Sequence, residues 1–292
     1  MELYSLTGLN QRSAFVTAPK IPNIAYRASW DALEQSEGDY HWALIDSARA
    51  AAAQAGGKLS LSVTPGIHTP SWVYGAGAVA FSFVWDQPYG PPAGSVEQMP
   101  LPWDTTYLAK WQAFIGALGA KYADDPLIDH VVATGINSKT QETFLPSNPQ
   151  PHPINGGQAY SYNDKANWLA AGYTPSLMEA TYKTVLATWA GAFPKTNFAG
   201  MFVRWGFPLN PPDLSLSLIA DAAAAYPSQF IAMNNGLSAN WVWPEIAGLA
   251  GKCAIAFQTR SPLGDHLHEA LNAAKAAGAA FVEVYPPDVA QV

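Results

Sequence analysis

Between Phe281 and Tyr285 the chain alternates so that Phe281, Glu283 and Tyr285 share one face and Val282 and Val284 the other. That spacing predicts a short strand carrying a carboxylate among apolar neighbours. Strand-like runs of this kind recur near residues 3–7, 24–29, 58–64, 130–135, 198–204, 229–233, 253–258 and 279–285. Between them the period lengthens. Leu108, Trp111, Ile115, Leu118 and Tyr122 recur at helical spacing, and the run from Ala43 to Ala55 stops at Gly56 and Gly57. Further helices are expected over 175–193, 216–225, 244–251 and 266–277. Strands that alternate with helices eight times predict an α/β chain folded as a (β/α)8 TIM barrel, one domain spanning residues 1–292. The first crossover, residues 8–23, is short and interrupted by Pro19 and Pro22, so the first βα unit is expected to be irregular.

Two segments without regular pattern, 65–102 and 136–174, leave the C-terminal ends of the third and fourth strands. Long loops on that face of a barrel are where sites are built. The strand ends are also polar. They offer Arg27 and Trp30 after the second strand, His68 and Trp72 after the third, and Gln141 and Glu142 after the fourth. Arg204 and Trp205 follow the fifth, Asn234 the sixth and Gln258 the seventh, with Glu283 and Tyr285 on the eighth. A glutamate is rarely buried without partners, so Glu283 needs either a structural partner, such as Arg27 or Arg204, or a chemical role.

Composition sharpens the picture. The chain holds 11 Trp, 13 Tyr and 12 Phe against only 13% charged residues, and several of the aromatics, including Trp72, Trp103 and Trp241, stand beside proline or asparagine in loop-like sequence. Sugar rings stack on such faces, and side chains rich in hydrogen bonds suit their hydroxyls. With 22 acidic and 15 basic residues the formal charge is −7, and no Lys/Arg cluster is present to neutralise phosphates. A nucleic-acid partner is therefore not expected. No apolar run reaches membrane-spanning length. The one cysteine, Cys253, excludes an internal disulfide framework. The N-terminus lacks the basic and apolar regions of a signal peptide, which leaves the compartment open, since a cleaved one could have been removed.

The residues Trp30, Leu33, Glu34, Gly38, Tyr40, Trp42, Ile45 and Asp46, followed by Pro70 and Trp72, resemble a pattern of the β-galactosidase-like clan A glycoside hydrolases. The motif covers roughly residues 24–73. The resemblance implies a TIM-barrel glycosidase with a glutamate acid/base after the fourth strand and a glutamate nucleophile at the seventh. Carried over, Glu142 takes the acid/base role, with Gln141 where the clan has asparagine. Gln258 stands at the nucleophile's strand and cannot serve, so Glu283, one strand further round, is the expected partner of Glu142.

The expectation is thus hydrolysis of O-glycosidic bonds of an oligo- or polysaccharide by a glutamate pair, with retention favoured over inversion by the resemblance. Arg27, His68, Arg204, Asn234, Gln141 and Gln258 are expected to hold sugar hydroxyls. Trp72, Trp103, Trp205 and Trp241 are expected to form ring platforms, and Trp30 and Tyr285 to contact the substrate. The alternatives are a catalytically inactive glycan-binding barrel, suggested by Gln258, and a hydrolase that uses His68 with an acid. No cofactor is expected, and no metal: His266 and His268, two apart at a helix start, point to different faces.

Overall fold

The alternating runs close into a barrel in a computed structural model that describes residues 1–87, 90–148, 152–153, 159–160, 162–208 and 214–292. Its strands are β1 Glu2–Leu9, β2 Asn23–Ser29, β3 Leu59–Thr64, β4 Ile128–Val132, β5 Asn197–Met201, β6 Phe230–Leu237, β7 Ala254–Thr259 and β8 Phe281–Val284. Each pairs in parallel with the next, and β8 returns to β1 through Tyr4↔Glu283 and its neighbours. Helices Ala43–Gln54, Thr105–Tyr122, Pro175–Ala192, Leu214–Ala225 and Leu267–Ala276 cover the outside. A β-hairpin, Ala80–Val84 with Val96–Pro100, is inserted after β3. No helix is assigned between β1 and β2, as the proline-interrupted spacing implies, and the expected helix over 244–251 is confined to Pro244–Ala247.

Strand alternation divides the apolar residues into two layers. Val282 and Val284 pack outward against the helices, while Phe281 joins Tyr4, Leu6, Met201, Ile231 and Met233 inside the barrel, with Tyr285 resting on them. By the same parity Glu283 faces the interior, where it is 1% exposed.

Two strands end earlier than the sequence suggests. Beyond Val132, side chains from the covering helices replace the ladder. The indole N–H groups of Trp111 and Trp189 donate to the Thr134 carbonyl at 3.2 and 2.7 Å, and the Tyr107 hydroxyl donates to that of Gly135 at 2.6 Å. Buried carbonyls must be paired, and here indole and phenol groups do so. The chain is thereby released from the sheet just where the site begins. The strand β5 likewise ends at Met201: the Phe202 N–H still donates to the Met233 carbonyl of β6 at 2.9 Å, but on its other side Phe202 pairs with Thr143 from the loop after β4.

The loop after β3 is held against the loop after β4 at Gly66. Its φ is +70°, and a methyl group there would overlap the carbonyl oxygens of Asn137 and Ser138. Gly66→Ala is therefore expected to lower stability by about 2 kcal/mol or more, since the left-handed backbone and the overlap add. Urea unfolding of the variant beside wild type measures this.

Candidate active site

Glu142 lies seven residues beyond Gly135, yet it is brought back to the end of β4. Asn137 closes the excursion. Its side-chain oxygen accepts from the Gly135 N–H at 2.6 Å and its amide donates to the Glu142 carbonyl at 2.8 Å. Just beyond, the Thr143 N–H donates to the Met201 carbonyl at 2.8 Å, so the segment runs beside the end of β5. The Glu142 carboxylate accepts from the Asn235 amide at 2.5 Å and from the Thr140 hydroxyl. It lines a pocket of about 170 Å³ with Gln87, Lys139, Phe144 and Val203. Burial pushes its pKa upward, opposed by hydrogen bonds from its own backbone and Asn235 and by the charge of Arg27.

Glu283 stands deeper. Its register partner on β7 is Gln258, whose side-chain oxygen accepts from the Gln141 amide at 2.9 Å. Burial raises the Glu283 pKa to about 7; Arg27 and a hydrogen bond from Gln141 oppose the shift, and the charge of Glu142 adds to it. One carboxylate oxygen of Glu283 is buried without a hydrogen-bond partner among the described residues. The Gln141 amide thus bonds Gln258 and lies close to Glu283.

On the other side of the segment 139–141 lies a second pocket, of about 130 Å³, lined by Arg27, Thr64, His68 and Gln141. The Arg27 guanidinium donates to the Thr7 carbonyl, at 2.9 Å through Nε. His68 stands 3.9 Å from Asp31. Lys139 borders both pockets, pairs with Asp86 and lies over the Trp85 ring at 5.0 Å. A third, open cleft of about 520 Å³ is lined by Asn235, Gly236, Ser238, Trp241 and Arg260. Among the described residues no group of three or more His, Cys, Asp or Glu is placed to hold a metal ion, and no helix is long and apolar enough to cross a membrane.

The barrel resembles those of two β-galactosidases. One is from the psychrophilic Marinomonas ef1, at 11% identity and a TM-score of 0.56. The other is a polyextremophilic enzyme from the Antarctic haloarchaeon Halorubrum lacusprofundi, at 11% identity and a TM-score of 0.59. Each match covers 97% of this chain but only 54% and 52% of the respective enzyme, so the chain spans about half their length. At that identity the likeness is one of fold, and the (β/α)8 architecture expected from the sequence is the one found. No protein-family model matches the chain, and no curated protein matches it by sequence.

In this barrel, Arg27, His68, Gln141, Glu142, Gln258 and Glu283 are gathered at or just beneath the mouth. Several other expected site residues lie elsewhere. Trp30 is 0% exposed, donates to Glu34 at 2.7 Å and packs on Trp111, so it is a core residue rather than a substrate contact. Trp72 donates to the Glu34 carbonyl at 3.1 Å, and Trp103 packs between Trp168 and Tyr173. Tyr285 is half-buried over the interior cluster. Asn234 turns outward, donating to the Phe202 carbonyl at 2.8 Å and accepting from the Gly236 N–H at 2.7 Å. Its neighbour Asn235 is the amide that reaches Glu142. Alternation carried the signal, because Ile231, Met233 and Asn235 share the inner face. Arg204 and Trp205 are exposed at the rim, with Arg204 3.6 Å from Glu245. Lys139, Thr140 and Arg260 were not singled out by the sequence pattern.

The raised pKa of Glu283 has a measurable cost. Between pH about 4.5 and about 7 the folded protein keeps a proton that the unfolded chain releases. The stability this group lends is full below the lower value and is lost as pH rises through the upper one. The stability difference between wild type and Glu283→Gln is expected to shift against wild type by on the order of 3 kcal/mol over that window. Urea titrations at fixed pH read it, and a difference independent of pH would contradict a buried acid with a raised pKa.

Proposed function

We propose that the barrel is a glycoside hydrolase of oligo- or polysaccharides, with Glu142 as the acid/base and Glu283 as the second carboxylate. The observation that carries this reading is the setting of Glu142: it lines the pocket at the mouth, oriented by Asn235 and Thr140, with burial favouring its protonated form. A carboxyl whose pKa is pushed upward by burial at the C-terminal face of such a barrel suits proton delivery to a departing sugar oxygen. The fold shared with two β-galactosidases supports the same class.

In the proposed reaction Glu142 gives its proton to the glycosidic oxygen as the C1–O bond breaks. The Glu283 carboxylate attacks C1 and forms a glycosyl ester. Water, deprotonated by Glu142, then hydrolyses that ester, and both groups return to their starting states. Gln141 must swing away from Glu283 for the sugar to reach it, and Arg27 then favours the ionised form. The charge of Glu142 raises the Glu283 pKa, a coupling that favours one proton shared over the pair. Retention is the expected outcome, read by NMR of the first product's anomeric configuration.

One observation favours a second reading, a barrel that binds glycans without cleaving them. β7 offers the Gln258 amide, and the carboxylate beside it is sealed at 1% exposure. Incubation with a panel of oligosaccharides and aryl glycosides, followed by product analysis and binding measurements, separates the two. Binding without product establishes the second.

For the hydrolase, Glu142→Gln is expected to lower kcat/KM at least about 100-fold on glycosides with poor leaving groups. The loss should be much smaller on nitrophenyl glycosides, which depart without a proton. Equal losses on both would remove the acid role from Glu142. Full activity in Glu283→Gln would make that carboxylate structural.

A further inference from the structure

The β6–β7 side of the mouth carries features that the proposed bond cleavage does not use. Among the described residues, the Phe, Tyr and Trp side chains that stand exposed are Trp205 at 60% and Trp241 at 48%, after β5 and β6. Trp241 is presented by a tight turn. Ser238 and Trp241 exchange backbone hydrogen bonds of 3.2 and 3.3 Å, and one edge of the indole sits close over Gly236, where an added methyl group would approach it to 3.2 Å. The ring is therefore braced from one side and open on the other. Core packing does not explain an indole held in that way, because about half of the residue stays in water.

Arg260 lines the same cleft. It is exposed and forms no ion pair among the described residues, and none of the cleft-lining residues is an acid. The protein has a formal charge of −7 and its other mouth cations are engaged: Lys139 with Asp86, Arg204 with Glu245, and Arg27 with the Thr7 carbonyl. A guanidinium offers a planar fork of donors that matches a carboxylate bidentately. Asn235 connects this cleft to the reaction pocket, since it lines both and holds the Glu142 carboxylate. A sugar ring lying on Trp241 would thus adjoin the one presented to Glu142.

We propose that the cleft between Trp241 and Arg260 is a subsite for a uronic-acid residue, its ring on the indole and its carboxylate on the guanidinium. The assignment rests on the glycan-processing reading above, but its test reads binding and not turnover. The substrate class it names is an acidic oligo- or polysaccharide.

The probes are di- and trisaccharides of glucuronate, galacturonate and mannuronate, each beside its methyl ester, and a sulfated galactan oligosaccharide, all measured by calorimetry on the intact protein. At least one uronate is expected to bind, its ester about tenfold or more weaker, since one charge-assisted fork is lost. Arg260→Gln is expected to bring the free acid down to the level of the ester, and Trp241→Ala to weaken both. Added salt should weaken the acid more than the ester, because the contact is exposed. Esters that bind as well as acids, an Arg260→Gln variant with unchanged affinity, or no uronate bound would each overturn the subsite. Binding of the sulfated probe alone, dependent on Arg260, would overturn the uronate assignment in favour of sulfate. Arg260-dependent uronate binding with no product from any glycoside would leave the subsite standing and remove the hydrolase. Cleavage of neutral glycosides unaffected by Arg260→Gln, with no uronate bound, would do the reverse.

Discussion

The site depends on one buried amide. Asn137 binds the Gly135 N–H with its oxygen and the Glu142 carbonyl with its nitrogen, so an eight-residue excursion begins and ends at the same point on the rim. Without that clip Glu142 would belong to a long loop with many conformations. With it, the backbone of Glu142 is fixed relative to β4, and the Thr143 hydrogen bond to Met201 fixes it relative to β5. Asn137 is 1% exposed, so water does not compete for either bond, and loss of one partner would strand buried polar groups. The loop after β3 is tied to the same structure, because Gly66 leaves just enough room for the Asn137 and Ser138 carbonyls. Three consecutive parts of the mouth therefore share one support.

That support also sets the electrostatics. With the excursion held over the barrel, Gln141 points inward to bond Gln258 beside Glu283, and Glu142 faces the pocket above. Glu283 is thereby shut into a low-dielectric interior, where its charged form is disfavoured and Arg27 opposes this only in part. A carboxylate kept in such a place lowers stability at neutral pH, and proteins tolerate that chiefly at sites with a function. Gln141, itself buried and bonded to Gln258, is one of the side chains packed over the interior in which Glu283 is enclosed.

Much of the fold was legible because each strand writes its own period. All eight strands and the long covering helices fall where alternation and helical spacing place them, and the inward parity of Phe281, Glu283 and Tyr285 follows from period two alone. What was not legible was where strands end. Thr134 and Gly135 read as strand residues, but their carbonyls are taken by Trp111, Trp189 and Tyr107, partners far away in sequence. The same blindness affected the tryptophans. Trp30, Trp72 and Trp103 stand next to loop-like residues, yet their indoles turn back into packing, and only neighbours brought in by the fold reveal it. Asn234 and Asn235 form the opposite case, in which a local rule sufficed: parity distinguishes the amide facing the Phe202 carbonyl from the one facing Glu142.

In the proposed chemistry the second carboxylate stands on the strand next to Gln258, and this placement has a geometric consequence. Gln258 and Glu283 are register partners on adjacent parallel strands, both facing inward, so the carboxylate is displaced sideways by about one strand spacing, ~4.8 Å, at constant height. Carboxyl separations of ~5–5.5 Å go with retention and ~6.5–9.5 Å with inversion, so a displacement of that size is enough to change one outcome into the other. What opposes the change is the path of the segment carrying Glu142. Asn137 draws it back over the barrel, and the hydrogen bond from Asn235 on β6 aims its carboxylate across the mouth rather than out to solvent. The two effects have opposite signs: the strand shift moves the second acid sideways, and the clipped excursion brings the first back over the mouth. In the two-carboxylate proposal, the stereochemistry of the product therefore reports the length of that excursion more than the identity of residue 258.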